Sequence, residues 1–152
     1  MHRINVLVSS CLFGESCRYD GKANYCDSIE DLKNICNLIP ACAECLGGLP
    51  TPRTPCEIID GKVISKTGED LTKTFVAGAN QVLEIAKKNN CTIAFLKQRS
   101  PSCGNGLIYD GSFSGALIPG YGITAALLKK NGLKVFNEFN VCDLLEFLKT
   151  QQ

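Results

Sequence analysis

The sequence has almost no net charge. Lys and Arg together number 16 and Asp and Glu number 15, which gives a formal net charge of +1. A chain without excess positive charge has no electrostatic reason to bind a nucleic-acid backbone or an anionic membrane surface. We therefore expect neither a membrane nor a nucleic acid as a partner, and the sequence leaves the oligomeric state open.

Long hydrophobic runs are also missing. No apolar stretch reaches the ~18 residues needed to cross a bilayer. The N-terminal segment MHRINVLVSSC has neither the long apolar core nor the small-residue cleavage site of a signal peptide. We therefore expect a cytoplasmic protein.

Histidine is nearly absent, whereas cysteine is abundant. The single histidine, His2, is next to the N-terminus and receives no role, which disfavours a hydrolase that pairs a Cys nucleophile with a His base. Ten of the 152 residues are cysteine. A domain of this length can bury a core without disulfides, and a reducing compartment keeps thiols reduced. The cysteines therefore indicate metal binding or thiol chemistry.

Short apolar or β-branched runs alternate with helical patterns along the whole chain. Strands are predicted at 4–8, 37–41, 91–96 and 134–136. Helices are predicted to start near Asp27 and to occupy 70–90, 122–130 and 141–149. Between them, 46–56 is predicted to be an ordered loop, 57–65 a hairpin, and 105–121 a loop or hairpin. This alternation predicts an α/β fold: a single three-layer, Rossmann-like domain over 1–152 with a mostly parallel sheet.

Three cysteines follow predicted strands. Cys11 follows the first strand, Cys42 the second, and Cys103 lies in the loop after the strand at 91–96. The carboxyl ends of parallel strands line a common crevice, so these thiols can converge on one ion or cluster. Soft thiolates favour Zn, Cu(I) or iron–sulfur centres. Cys42-x-x-Cys45 is the only CxxC pair, so a four-Cys zinc ribbon has little support.

Packing is the alternative reading of any free cysteine, because Cys often behaves as a small buried hydrophobe. Neighbouring Ser, Gly, Pro and Glu residues make packing alone a weaker explanation for the three crevice cysteines. It is the preferred interpretation for three others on apolar faces, which are Cys36, Cys91 and Cys142.

Groups suited to proton transfer lie close to the candidate ligands in sequence. Glu44 is two residues from Cys42, and Ser100 is three residues before Cys103. A carboxylate in a low-dielectric crevice can act as a general acid or base. The alternative for Glu44 is a solvated loop carboxylate.

A glycine-rich segment at 119–128 opens a predicted helix. Free backbone N–H groups at a helix start can bind an anionic or carbonyl group. A plain tight turn is the preferred interpretation, because glycine is the usual turn residue.

Several motifs resemble those of one bacterial family. The segment 9–21, SSCLFGESCRYDG, resembles the N-terminal signature of the domain-of-unknown-function family that includes the thiouracil desulfidases. CAECLGGLPTPR at 42–53 resembles its second motif, and LKQRSPSCG at 96–104 its third. IYDGSFSG at 108–115 and GYGITAALL at 120–128 are similar to further blocks.

The resemblance runs from about residue 4 to about residue 138, with all blocks in the family's order. The chain departs from the family at Ala43, where the family usually has proline. It also departs at Cys45 and Cys56, where the family more often has residues without a thiol. Cys17 belongs to the signature and stays a rival for a ligand place or for a persulfide relay.

The resemblance implies a [4Fe–4S] cluster held by Cys11, Cys42 and Cys103. Its fourth iron would be open to the sulfur of a small thiolated nucleobase such as 2-thiouracil. Glu44 would be the acid/base residue and Ser100 an assisting residue. The implied reaction is a non-redox hydrolysis of the C=S bond that releases sulfide.

Two other functions stay open from the sequence. The same cluster could pass sulfide to an acceptor, as a sulfur-transfer or tRNA-thiolation helper. Alternatively, the chain could be a non-catalytic module that binds a structural zinc. Colour and metal content distinguish the zinc module, because only an iron–sulfur protein is brown. Sulfide release from 2-thiouracil then distinguishes a desulfidase from a sulfur carrier.

Overall fold

Strands and helices alternate through residues 3–23 and 25–151, which are the residues described in the computed structural model. In chain order they are β1 (Asn5–Ser9), α1 (Ser28–Ile35), β2 (Asn37–Ala41), α2 (Ala43–Leu46), β3 (Cys56–Ile59), β4 (Lys62–Ser65), α3 (Thr72–Lys88), β5 (Ile93–Leu96), β6 (Asn105–Tyr109), β7 (Leu117–Tyr121), α4 (Ile123–Lys130), β8 (Lys134–Asn137) and α5 (Val141–Thr150). His2 lies outside the described residues.

Four strands form the central sheet, in the order β2-β1-β5-β8, and every neighbouring pair is parallel. Each connection between these strands contains a helix, as parallel pairing requires. The predicted α/β fold with a mostly parallel sheet is confirmed.

Helices cover both faces of this sheet. Val6 and Val8 of β1 pack with α1 and α5 in one apolar cluster. Leu7, between them in sequence, packs with α3 and α4 in the other. Successive side chains of a strand point to opposite faces, so one short apolar run supplies both cores. The molecule therefore has three layers, helix, sheet and helix.

Two antiparallel hairpins lie outside the central sheet. Asp60 and Gly61 join β3 to β4 with φ angles of 50° and 78°. Two positive φ values are what a tight two-residue hairpin turn needs, which explains the Asp-Gly pair. The second hairpin pairs β6 with β7 and resolves the prediction of a loop or hairpin for 105–121.

The short helix α2 was not predicted, and two glycines fix its position against α3. A Cβ added at Gly78 would lie 1.9 Å from the carbonyl oxygen of Ala43. A Cβ at Gly47 would lie 2.5 Å from the carbonyl oxygen of Thr74. The two backbones approach so closely that neither position has room for a side chain.

Cysteines predicted to pack in the core have mixed outcomes. Cys36 and Cys91 are buried, as expected. The prediction for Cys142 is wrong, because its side chain is exposed. The buried face of α5 is formed by Leu144 and Leu148, which lie one turn apart, and a residue two positions before Leu144 points away from that face.

Among the described residues, no helix combines the length and the hydrophobicity required to cross a membrane.

Replacing Gly78 by Ala should destabilise the fold, because the new methyl group would overlap the Ala43 carbonyl. We expect a loss of about 1–3 kcal/mol in the free energy of unfolding, the usual cost of overpacking. Urea denaturation measures it. Ala77→Ser, on the exposed side of the same helix, is the control and should change stability by less than about 0.5 kcal/mol. Equal midpoints for both variants would show that α2 and α3 are not in this close contact.

Candidate active site

A cavity of about 460 Å³ opens at the carboxyl ends of β1, β2 and β5. The crevice position predicted from the strand ends is therefore where the structure has its cavity. The lining includes the three predicted ligands, Cys11, Cys42 and Cys103, and two further thiols, Cys17 and Cys56.

One of these thiols, Cys17, contacts two of the others. The Cys17 thiol forms hydrogen bonds with Cys11 and with Cys42, and these bonds, with burial, raise the pKa of Cys17. The bond from Cys17, with smaller contributions from the backbone and thiol of Cys45, lowers the pKa of Cys42 from 9.0 to about 6, although burial opposes the shift. Cys17 thus stabilises a thiolate on a predicted ligand.

Cys103 lies in the same wall and is half-buried, as Cys11, Cys17 and Cys42 are. Burial raises the pKa of Cys103 to about 12, and a hydrogen bond from Ser9 partly offsets the effect. The Ser9 hydroxyl also accepts a hydrogen bond from the backbone N–H of Lys97 at 3.0 Å. Ser9 therefore joins the ends of β1 and β5 to the Cys103 thiol, a connection that was not predicted from the sequence.

Ser100 shapes the turn that presents Cys103. Its Oγ accepts hydrogen bonds from the backbone N–H groups of Ser102 and Cys103, both at 3.0 Å. A hydroxyl has two acceptor lone pairs and one proton, so the proton of Ser100 is still available to donate. Ser100 can hold the loop and assist a reaction with the same hydroxyl.

The start of α4 is packed against the Cys103 turn. Ile123 and Thr124 donate their backbone N–H groups to the carbonyls of Pro101 and Ser102, each at 2.8 Å. A Cβ on Gly122 would lie 2.4 Å from the Ser102 carbonyl. These N–H groups therefore serve the chain's own loop, which supports the structural-turn interpretation of the glycine-rich segment.

Glu44 lines the cavity and forms an ion pair with Arg53. The Nε of Arg53 donates to Oε2 of Glu44 at 2.8 Å, and Nη2 donates to the same oxygen. The two side chains are only 16% and 6% exposed, so Glu44 is not the solvated loop carboxylate of the alternative interpretation. Arg53 was not predicted, and the only signal was its place at the end of the second motif.

A loop between β6 and β7 forms another side of the cavity. The buried carboxylate of Glu57 accepts hydrogen bonds from the backbone N–H groups of Gly111 at 2.9 Å and Phe113 at 3.1 Å. Phe113 has a φ of 56°, an uncommon value for a bulky residue, and Glu57 stabilises it there. Phe113 and Tyr109 both line the cavity.

Cys45 lies outside the cavity lining but close to Cys42. Cys45 is exposed, and its thiol interacts with Cys42 and with Oγ1 of Thr51 at 3.6 Å.

Within residues 3–23 and 25–151, no group of three or more His, Cys, Asp or Glu side chains surrounds a single point closely enough for one metal ion.

In the chain without a metal centre, Cys42 should react with iodoacetamide with a midpoint near pH 6. Its lowered pKa leaves it as the nucleophilic thiolate above that pH. Site-resolved mass spectrometry measures the rate for each cysteine. Cys91 is the control, because burial raises its pKa to about 11 and it should stay unreactive at neutral pH. Cys17→Ala should move the Cys42 midpoint to higher pH, and a wild-type midpoint near 9 would contradict the thiol contacts.

Known proteins share the sequence and the fold of this chain. The sequence model of the 2-thiouracil desulfurase family matches residues 6–140. The chain is 44% identical over 150 residues to the uncharacterized protein YbbK of Bacillus subtilis (strain 168), over 92% of this chain and 99% of that protein. The solved structure of a [4Fe–4S]-dependent thiouracil desulfidase, TudS, superposes with a TM-score of 0.91 at 37% identity, covering 97% of this chain and 99% of that one. The chain belongs to the 2-thiouracil desulfurase family.

Proposed function

We propose that this protein is a [4Fe–4S]-dependent desulfidase that removes sulfur, as sulfide, from a thiolated pyrimidine such as 2-thiouracil. The observation that carries the proposal is the convergence of Cys11, Cys42 and Cys103 on one cavity that also contains Glu44. Membership of the family and the likeness to TudS support the same activity.

The donor set of the cavity suits an iron–sulfur cluster. Cys11, Cys42 and Cys103 would hold it, because soft thiolates are the ligands of such clusters. A cluster takes each thiolate on a different iron, so its ligands do not need to surround one point. With three protein ligands, the cluster would supply an iron open to sulfur, which would act as a Lewis acid on the C=S bond.

The net reaction needs only water. Thiouracil and water give uracil and hydrogen sulfide, so the C=S bond is replaced by C=O and no electron is gained or lost. In this proposal Glu44 takes a proton from the attacking water or gives one to the ring nitrogen. Ser100 donates its hydroxyl proton in a hydrogen bond to the water or the substrate, while its Oγ keeps the Cys103 turn in place.

The aromatic side of the cavity suits a flat heterocycle. Phe113 and Tyr109 offer apolar ring surface to a pyrimidine, for which aromatic stacking is favourable. Glu57 keeps this loop in place through its two hydrogen bonds to Gly111 and Phe113. These residues would orient the ring, and the thiol wall would receive its sulfur.

The proposed function is tested by anaerobic reconstitution with iron and sulfide. We expect a brown protein with four iron and four sulfide per chain, as a [4Fe–4S] cluster requires. The same sample should convert 2-thiouracil to uracil and free sulfide in equal amounts. A colourless protein with one zinc per chain would contradict the proposal, and so would sulfide released only when an acceptor is present.

Variants separate the cluster ligands from the acid/base residue. Ala at Cys11, Cys42 or Cys103 should remove both the cluster and turnover. Glu44→Ala should keep the iron content and lose turnover roughly 10²–10⁴-fold, the usual contribution of general acid–base catalysis. Iron analysis and sulfide release measure the two effects. Cys142→Ala is the matched control, since that thiol is exposed on α5 outside the cavity lining, and Glu44→Ala with full activity would contradict the assignment.

A further inference from the structure

The guanidinium of Arg53 uses every one of its donors. Nε and Nη2 bond to Oε2 of Glu44. Nη2 also donates to the carbonyl of Cys17 at 2.9 Å, and Nη1 donates to the carbonyl of Pro50 at 3.1 Å and to Oγ1 of Thr51 at 3.0 Å. An arginine has five N–H donors in a rigid fork, so five bonds fix both its position and its plane.

These bonds connect three segments of the chain around one side chain. The carbonyl of Cys17 belongs to the loop after β1, and Glu44 belongs to α2. Thr51 belongs to the loop between α2 and β3, residues 47–55, which we call the proline-rich loop. The backbone N–H of Arg53 adds a bond to the carbonyl of Tyr19 at 2.6 Å. The Arg53 side chain is only 6% exposed, although its partners Pro50 and Thr51 lie at the surface. The bonds to Glu44 and to the Cys17 carbonyl are therefore the ones best shielded from water.

The ion pair is asymmetric. Both bonds from Arg53 end on Oε2 of Glu44, and no hydrogen bond recorded among the described residues ends on Oε1. One carboxylate oxygen is therefore anchored, while the other is left for a water molecule or a substrate in the cavity. Side chains with the flexibility of Glu need such an anchor to stay in one rotamer.

We propose that Arg53 is the positioning residue of this site, which holds Glu44 in its reactive orientation and ties it to the Cys17 loop. The inference rests on the proposed function, because it gives Arg53 a role through Glu44. A lysine could keep the positive charge, but it cannot make five bonds in one plane. We therefore expect turnover to need the planar guanidinium of Arg53 and not only its positive charge.

A double-mutant cycle on the reconstituted protein tests this role. The variants are Arg53→Lys, Glu44→Gln and the two combined, with kcat expressed per cluster. Arg53→Lys should lower kcat about 10²-fold, the scale of a misplaced catalytic group, with KM within about twofold of wild type. The double variant should be no slower than Glu44→Gln alone, because residues that act as one unit are not additive.

Arg3→Lys is the matched control. Arg3 also bonds to backbone carbonyls, including that of Cys36 at 3.0 Å, but it is exposed and does not line the cavity. It should keep wild-type kcat. An Arg53→Lys variant with wild-type kcat would overturn the inference, and so would a double variant whose loss equals the product of the two single losses.

A milder variant decides the question if Arg53→Lys fails to fold or to hold a cluster. Thr51→Val removes one neutral partner of the guanidinium on the exposed proline-rich loop. It should lower kcat about two- to fivefold at unchanged KM, the effect of one such hydrogen bond. The loss should disappear in the Glu44→Gln background, and an unchanged kcat would overturn the inference. A wild-type protein that releases no sulfide would instead refute the proposed function, and the role of Arg53 with it.

Discussion

The parallel pairing of β1 with both β2 and β5 is the constraint on which the site depends. In this register Ser9 lies beside Ala41, and the chain leaves all three strands at the same edge of the sheet. Cys11 and Cys42 follow these ends within two residues, so the strand pairing alone brings both thiols to the cavity. A shift of one residue would send Leu7 to the core that holds Val6 and Val8, so the packing of the two cores also fixes the position of the thiols.

Cys103 and Glu44 are positioned by close backbone contacts at glycines and by the Ser100 hydroxyl, whereas Cys11 and Cys42 are positioned by strand ends. Cys103 is seven residues beyond the end of β5, and its loop returns to the cavity through the Ser100 turn and the close contact at Gly122. On the other side, the close approach at Gly78 sets α2, and thereby Glu44, against α3. These contacts need a missing side chain, so a tight backbone approach is part of how the chemistry is positioned.

The strands and the position of the cavity could be predicted from the sequence, because local patterns determine them. Apolar runs located the strands, and their ends located the cavity, because both follow from the periodicity of the fold. Arg53 and Glu57 were missed, since each acts on a partner brought near by loops whose path the sequence does not reveal. Cys142 was assigned to the core because it lies in an apolar segment, although its place on the helix turns it outward.

The charges of Glu44 and Arg53 are paired, because an isolated buried charge is costly. Glu44 would be expensive to desolvate alone, and Arg53 makes its burial possible while leaving one oxygen unbonded. Removing either partner leaves the other uncompensated, which is more harmful than never having had the pair. A cation beside this carboxylate is therefore a requirement of burial as well as of orientation. It explains why one arginine has to satisfy the carboxylate, the Cys17 carbonyl and the proline-rich loop together.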